Sequence, residues 1–174
     1  MARADSLGGR ILKVNHAGEN GAIHIYTGQI LVARWTAPDM LAELVEFRSH
    51  ERRHRAIFLA ELQRRGVRRC RSYWLCGAGG WMLGVLTGLF GRSASAATTA
   101  AVERVVLRHL SHQIELLSGQ DEAAVMAIRA IVDEEQQHHD RSAAQVPPNR
   151  LWLRALFPIV ASSTEAVIWL GMRL

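Results

Sequence analysis

The sequence predicts an all-α fold: a bundle of four amphipathic helices, a long Gly-rich apolar connection between the second and third, and an additional helical segment at the C-terminus. Three observations carry this expectation. Apolar residues recur at helical spacing almost throughout, and no stretch alternates as a half-buried strand would. At 174 residues the chain is long enough for a single domain, 1–174, with a real core. Finally, four apolar stripes are each broken near their middle by a carboxylate.

The first helix is expected from about Leu7 to Trp35, ended by Pro38, with Asn15, Glu19, Ala22, Ile23, Tyr26, Ile30 and Ala33 on one face. Asp39 is placed to cap a second helix reaching Arg65, and Gly66 to stop it. Its inward stripe is Leu44, Phe47, Glu51, His54, Phe58 and Leu62. The third helix should run from near Ser95 to Gly119, with Thr99, Glu103, Val106, Leu110 and Leu117 facing inward. Asp121 then caps a fourth, whose stripe is Ala124, Ile128, Ile131, Glu135 and His138. Pro147-Pro148 precedes the last apolar segment, Leu151 to Leu174, which Pro158 should interrupt.

Composition narrows the function classes. The net charge is +5, and nine of the twenty Arg fall between Arg48 and Arg71, opposed there only by Glu51 and Glu61. Such a cluster suits an anionic surface, although a solvated helix face is the better explanation of the cluster taken alone. Two cysteines, Cys70 and Cys76, make no disulfide framework and favour a reducing compartment. No signal peptide is evident at the start of the sequence. Nucleic-acid binding would account for the Arg cluster but for none of the inward carboxylates, so no nucleic acid is expected.

Helices two and four carry a His three residues after their Glu: "ERRH", Glu51 to His54, and "EQQH", Glu135 to His138. Residues at i and i+3 share a helical face, so each pair can reach one ion. Chance alone supplies roughly half a Glu-x-x-His in a chain of this composition, so the motif counts for little by itself. Its weight comes from position, mid-stripe on separate helices, with Glu19 and Glu103 mid-stripe on the other two. Burying four carboxylates in one small core is prohibitive without cations. Four Glu and two His is the inventory of ferritin-like di-iron and di-manganese bundles, which also need a long crossover between helices two and three. Carboxylate-rich ligation without thiolate favours iron or manganese over zinc or copper.

With those residues identified, the chain resembles the demethoxyubiquinone hydroxylase family of ubiquinone biosynthesis over about residues 8 to 174. The resemblance rests on "KVNHAGENGA" (Lys13 to Ala22), "IYTGQ" (Ile25 to Gln29), "AVE" (Ala101 to Glu103) and "DEEQQHHD" (Asp133 to Asp140). Two departures stand out. Asn20 replaces a common aromatic, and His109-Leu110-Ser111 replaces a His-Tyr-Asn run. The resemblance implies a pair of iron ions on Glu19, Glu51, His54, Glu103, Glu135 and His138, the same six that the stripes select. It also implies hydroxylation of the ring of a polyprenylated demethoxyubiquinone with dioxygen and two electrons, supplied by NADH or a reductase. A homo-oligomer or a complex of ubiquinone-biosynthesis proteins would be compatible with it. Tyr26 and His109 are candidates to hold the ligands from outside, as is His16. Asp133 and Glu134 flank a ligand: solvent exposure is the plainer expectation, orientation of the opposing His by one of them the alternative. His139 is expected off the ligand face, and His24, His50 and His112 have no assigned task.

Residues 72–91 are twenty in a row without a charge, long enough to span a bilayer. A span there would put Glu19, Glu51 and His54 on one side and Glu103, Glu135 and His138 on the other, so the site and the span exclude each other. Read as the crossover instead, Trp74, Trp81, Leu83, Leu86, Leu89 and Phe90 form a surface able to dip into one leaflet, and a buried hairpin is the plainer alternative. Arg64, Arg65, Arg68, Arg69, Arg71 and Arg92 flank it and could meet anionic headgroups. The expected location is therefore peripheral to a membrane, on the cytoplasmic face if the cell is bacterial. The rival reading is ferritin- or rubrerythrin-like iron oxidation or peroxide detoxification; a quinone-binding protein with an empty site is a third.

Overall fold

Periodicity becomes six α-helices in the computed structural model, which describes residues 6–149 and 151–173. They are α1 (Leu7–Thr36), α2 (Leu41–Arg64), α3 (Tyr73–Leu89), α4 (Arg92–Leu117), α5 (Glu122–Ala143) and α6 (Leu151–Gly171). No strand occurs among the described residues. The expected end at Leu174 lies outside them.

Local chemistry sets most boundaries. Ser6 Oγ accepts from the Gly9 amide at 3.1 Å to start α1, and Asp121 Oδ1 accepts from Ala124 at 3.2 Å to start α5, as expected. Gly66 takes φ +65° just beyond α2, where its missing Cβ removes the strain. Asp39 does not cap α2. It lies in a 3-10 turn, Pro38–Met40, and its carboxylate pairs with Arg92 instead. Pro158 does not interrupt α6, which runs through it. A proline inside a helix costs about 3 kcal/mol; packing of Val160, Leu156 and Phe157 against Ala101 and Val102 of α4 helps offset that.

Four helices, α1, α2, α4 and α5, form the bundle. The paired contacts fix their directions: His54 meets Glu135 while Glu43 meets Gln145, so α2 and α5 are antiparallel. Asn15 meets Gln113 and Tyr26 meets Glu103, so α1 and α4 are antiparallel as well. The chain order then requires a full-length crossover between α2 and α4, which is the ferritin-like arrangement. That crossover is α3, and it is a helix despite five glycines in seventeen residues. Each glycine in a helix interior costs up to about 1 kcal/mol against Ala, so α3 depends on its neighbour. Gly77, Gly80, Gly84 and Gly88 lie in turn on Asn20, Gly21, Ile25 and Gln29 of α1; a methyl group at Gly84 would collide with the Ile25 carbonyl. The close fit explains the small-residue ridge without invoking a membrane span. Among the described residues the helix long and apolar enough to cross a membrane is α6, not α3.

Along the bundle axis the core has three layers. At one end Leu12, Phe58, Leu62, Leu110, Leu117, Ile128 and Ile131 form an apolar cluster. At the other, Tyr26, Ile30, Met40, Leu44, Phe47 and Ala96 form a second. Between them lie Glu19, Glu51, His54, Glu103, Glu135 and His138, all buried.

Candidate metal centre

Each of the six side chains is delivered by the apolar stripe of its own helix. Packing of the two flanking clusters leaves the middle position no choice but to face the axis. The six form two overlapping groups whose oxygen and nitrogen atoms lie within 4.8 Å of one another. One is Glu19, Glu51, His54 and Glu135; the other is Glu51, Glu103, Glu135 and His138. Glu51 and Glu135 belong to both.

The metal-free electrostatics are unfavourable. Burial, reinforced by the neighbouring carboxylates, pushes the Glu19, Glu51 and Glu103 carboxyls well above their ordinary range. Burial also pushes Glu135 up, but the imidazoles of His138 and His54 outweigh it and hold this carboxyl at about 2. His54 is desolvated too, yet Glu135, at 2.9 Å from Nδ1, and Glu19 raise its pKa. Even so, Glu51 Oε1, Glu135 Oε2 and His138 Nδ1 are buried without a hydrogen-bond partner. Three electron-pair donors left unsatisfied in one layer is costly, and cations would satisfy them. The residues present therefore fit a pair of metal ions.

A second ring of contacts holds this layer. The Tyr26 hydroxyl donates to Glu103 Oε1 at 3.2 Å. Glu134, expected in solvent, is partly buried and takes His54 Nε2 at 2.8 Å, while Arg53 donates to its other oxygen at 2.8 Å. His50, which had no expected task, approaches His138 Nε2 with its Nδ1 at 3.0 Å. Glu134 thus takes the less favoured of its two expected roles, orienting the opposing His, whereas no sequence spacing flags His50, which lies beside the α2 stripe and meets His138 across the α2–α5 seam. His109 is not brought to the carboxylates. Its Nε2 donates to Glu165 of α6 at 2.8 Å. His16 is buried and stacked on Tyr73, with ring centroids 5.0 Å apart; burial, with Arg55 and Arg69 nearby, lowers its pKa to about 4. His139 pairs with Asp140 at the surface.

One cavity, of about 490 Å³, reaches this layer. Glu19, Glu51, Glu103 and Glu135 line its inner end, and its walls are mainly apolar residues of α1, α3, α4 and α6. Leu75, Met82, Leu86 and Val167 line it and are also exposed, which places the mouth between α3 and α6. Leu83, expected on the outer surface, is turned inward and lines the cavity. Trp74 and Trp81 of α3, Phe90 just beyond it, and Trp152 and Trp169 of α6 are also exposed, with the Phe90 and Trp152 rings 6.0 Å apart.

An all-α bundle with a buried layer of four Glu and two His, reached by an apolar cavity, defines a ferritin-like carboxylate protein. Residues 6–171 match the family described as ubiquinone biosynthesis protein COQ7, and the chain belongs to that family. It is similar to the NADPH-dependent 3-demethoxyubiquinone 3-hydroxylase, mitochondrial, of Mus musculus. Identity there is 31% over 173 residues, covering 94% of this chain and 76% of that protein. The 3-demethoxyubiquinol 3-hydroxylase of Variovorax paradoxus (strain S110) is 33% identical over 143 residues, 80% of this chain and 68% of the relative. The Legionella pneumophila (strain Lens) protein of the same name is 31% identical over 137 residues, 78% and 62% respectively.

Proposed function

We propose that this protein is a 3-demethoxyubiquinol hydroxylase: a di-iron monooxygenase that adds one oxygen atom of O2 to the ring of a ubiquinone precursor. The observation that carries the reading is the apolar cavity ending on two carboxylate–imidazole groups that share Glu51 and Glu135. Glu19 and His54 would hold one iron, Glu103 and His138 the other, and Glu51 and Glu135 would bridge them. When bound, the iron pair supplies two reducing equivalents to dioxygen at one place. The polypeptide does the rest. The two apolar clusters keep bulk water from the ends of the layer, and Tyr26 orients Glu103 through its hydroxyl. The cavity walls align an aromatic ring against the carboxylates while its isoprenoid tail leaves through the mouth. Ferritin-like iron oxidation, by contrast, has no use for an apolar passage of this size. Two external electrons are needed per turnover, and a nicotinamide donor is the expected source.

The mouth opens on the apolar rim of α3 and α6, so the substrate is drawn from a membrane on which the protein rests peripherally. Three of the six flanking guanidinium groups are already matched: Arg64 by Glu61, Arg65 by Glu61 and Asp121, and Arg92 by Asp39. Arg68, Arg69 and Arg71 are exposed and make no salt bridge among the described residues, leaving them for anionic headgroups. Each contributes about 1 kcal/mol at such a surface. Replacing all three by Gln should lower partitioning onto anionic vesicles about a hundredfold. Unchanged partitioning would remove the headgroup contact.

The decisive experiment is iron analysis of the purified protein, coupled to lipid extraction and turnover of a demethoxyubiquinol. Two irons per chain and a hydroxylated ring are expected. Iron oxidation without ring hydroxylation would move the protein to the iron-handling class.

A further inference from the structure

Both histidines of the buried layer present Nδ1 to the carboxylates and Nε2 to the α2–α5 seam. His54 Nδ1 lies 2.9 Å from Glu135 and 3.8 Å from Glu51, and His138 Nδ1 lies 3.1 Å from Glu51. An imidazole that gives one nitrogen to a metal carries its proton on the other, so each Nε2–H must donate outward. The two outer acceptors differ in kind. His54 Nε2 has the carboxylate of Glu134 at 2.8 Å. His138 Nε2 has the imidazole Nδ1 of His50 at 3.0 Å, the two rings stacked with centroids 5.2 Å apart. Glu134 makes its hydrogen bond to His54, and the same oxygen stands 3.7 Å from His50 Nδ1, too far for a second one.

We propose that His50 is a positioning residue for His138, and that its neutral ring, set against the Glu134 carboxylate on His54, makes the two metal positions unequal, the His54 position binding a divalent ion more tightly. This rests on the metal site proposed above. The physical reason is direct. A carboxylate accepting the outer N–H shares its negative charge with the imidazole and makes the inner nitrogen a stronger donor. A neutral imidazole fixes ring orientation equally well but adds no charge. Arg53 draws on the other Glu134 oxygen and moderates this advantage without abolishing it. The bridging carboxylates are common to both positions, so they cannot create the difference. The chain would therefore load in order: first the position of Glu19 and His54, then that of Glu103 and His138.

The test is titration of the metal-free protein with Co(II), followed by visible absorption, with circular dichroism to confirm that each variant keeps its helical content. Two steps separated about 10- to 100-fold in affinity are expected, the range typical of outer partners. E134Q should weaken the tight step by a similar factor and bring the two together. H50L should weaken only the second step, about tenfold; H50Q, which keeps an acceptor, should restore it; and H50E should strengthen it beyond the parent. A residue that merely filled space would not produce that last gain. Two equal steps in the parent that E134Q leaves unchanged, or an H50L and H50E pair that bind as the parent does, would overturn the inference while leaving the site intact. Uptake of fewer than two ions by the parent would overturn the site itself and this inference with it.

Discussion

The Phe58 layer and the Glu51 layer lie on the same four helices, two turns apart, and are equally buried. Their chemistry is opposite. In the first, Phe58, Leu62, Ile128 and Ile131 gain by leaving water, at about 25 cal/mol per Å² of apolar surface. In the second, burial drives three carboxyls toward their neutral form and leaves acceptor atoms without partners. One layer holds the bundle together; the other, in the metal-free chain, weakens it. The lesson is that equal burial implies neither equal stability nor equal purpose, and that a costly layer maintained by a favourable one marks the functional position.

The comparison can be broken from either side. The largest effect is expected from Phe58→Ala, which empties a fully buried position and should cost about 3–5 kcal/mol of unfolding free energy. Chemical denaturation measures it; a loss below about 1 kcal/mol would mean that this cluster is not what holds the bundle. Next come Glu103→Ala and His138→Ala. Both should leave a helical protein by circular dichroism, yet lower ring hydroxylation at least a hundredfold, since even outer partners are worth about 10–100-fold. Full activity in either variant would end the site assignment.

A subtler contrast concerns pH. The Glu19 carboxyl is raised in the folded metal-free chain from its ordinary value of 4.5. The folded state then binds more protons than the unfolded one, so the stability contributed by protonated Glu19 is complete below about pH 4.5 and is lost as pH rises above it. Glu19→Gln should therefore stabilise the metal-free protein, and by more at pH 8 than at pH 5, by about 1–3 kcal/mol at the higher pH. Glu135 behaves oppositely: held at about 2, it supports the fold at neutral pH and loses that support as pH falls through about 2. Calorimetric scans at pH 8 and pH 5 measure the Glu19 effect, scans between pH 5 and pH 2 the Glu135 one, and a Glu19→Gln protein less stable than its parent at pH 8 would show that the layer is not under strain.

Apolar periodicity was enough, from the amino-acid order alone, to place four helices and the crossover, and to single out Glu19, Glu51, His54, Glu103, Glu135 and His138. That reach has a physical basis. A polar side chain carried mid-stripe by an amphipathic helix is aimed by the same hydrophobic effect that builds the core, so local pattern and global position agree. Asp39 and Pro158 were misjudged because a charged partner from a distant turn, Arg92, and packing against α4 override local preference. The helical state of α3 is another tertiary decision, since its glycines oppose a helix until the backbone of α1 lies against them. His50, Glu134 and the cavity between α3 and α6 exist only where helices meet. Which neighbour a side chain finds across a seam depends on crossing geometry and register, and no one-dimensional spacing encodes those.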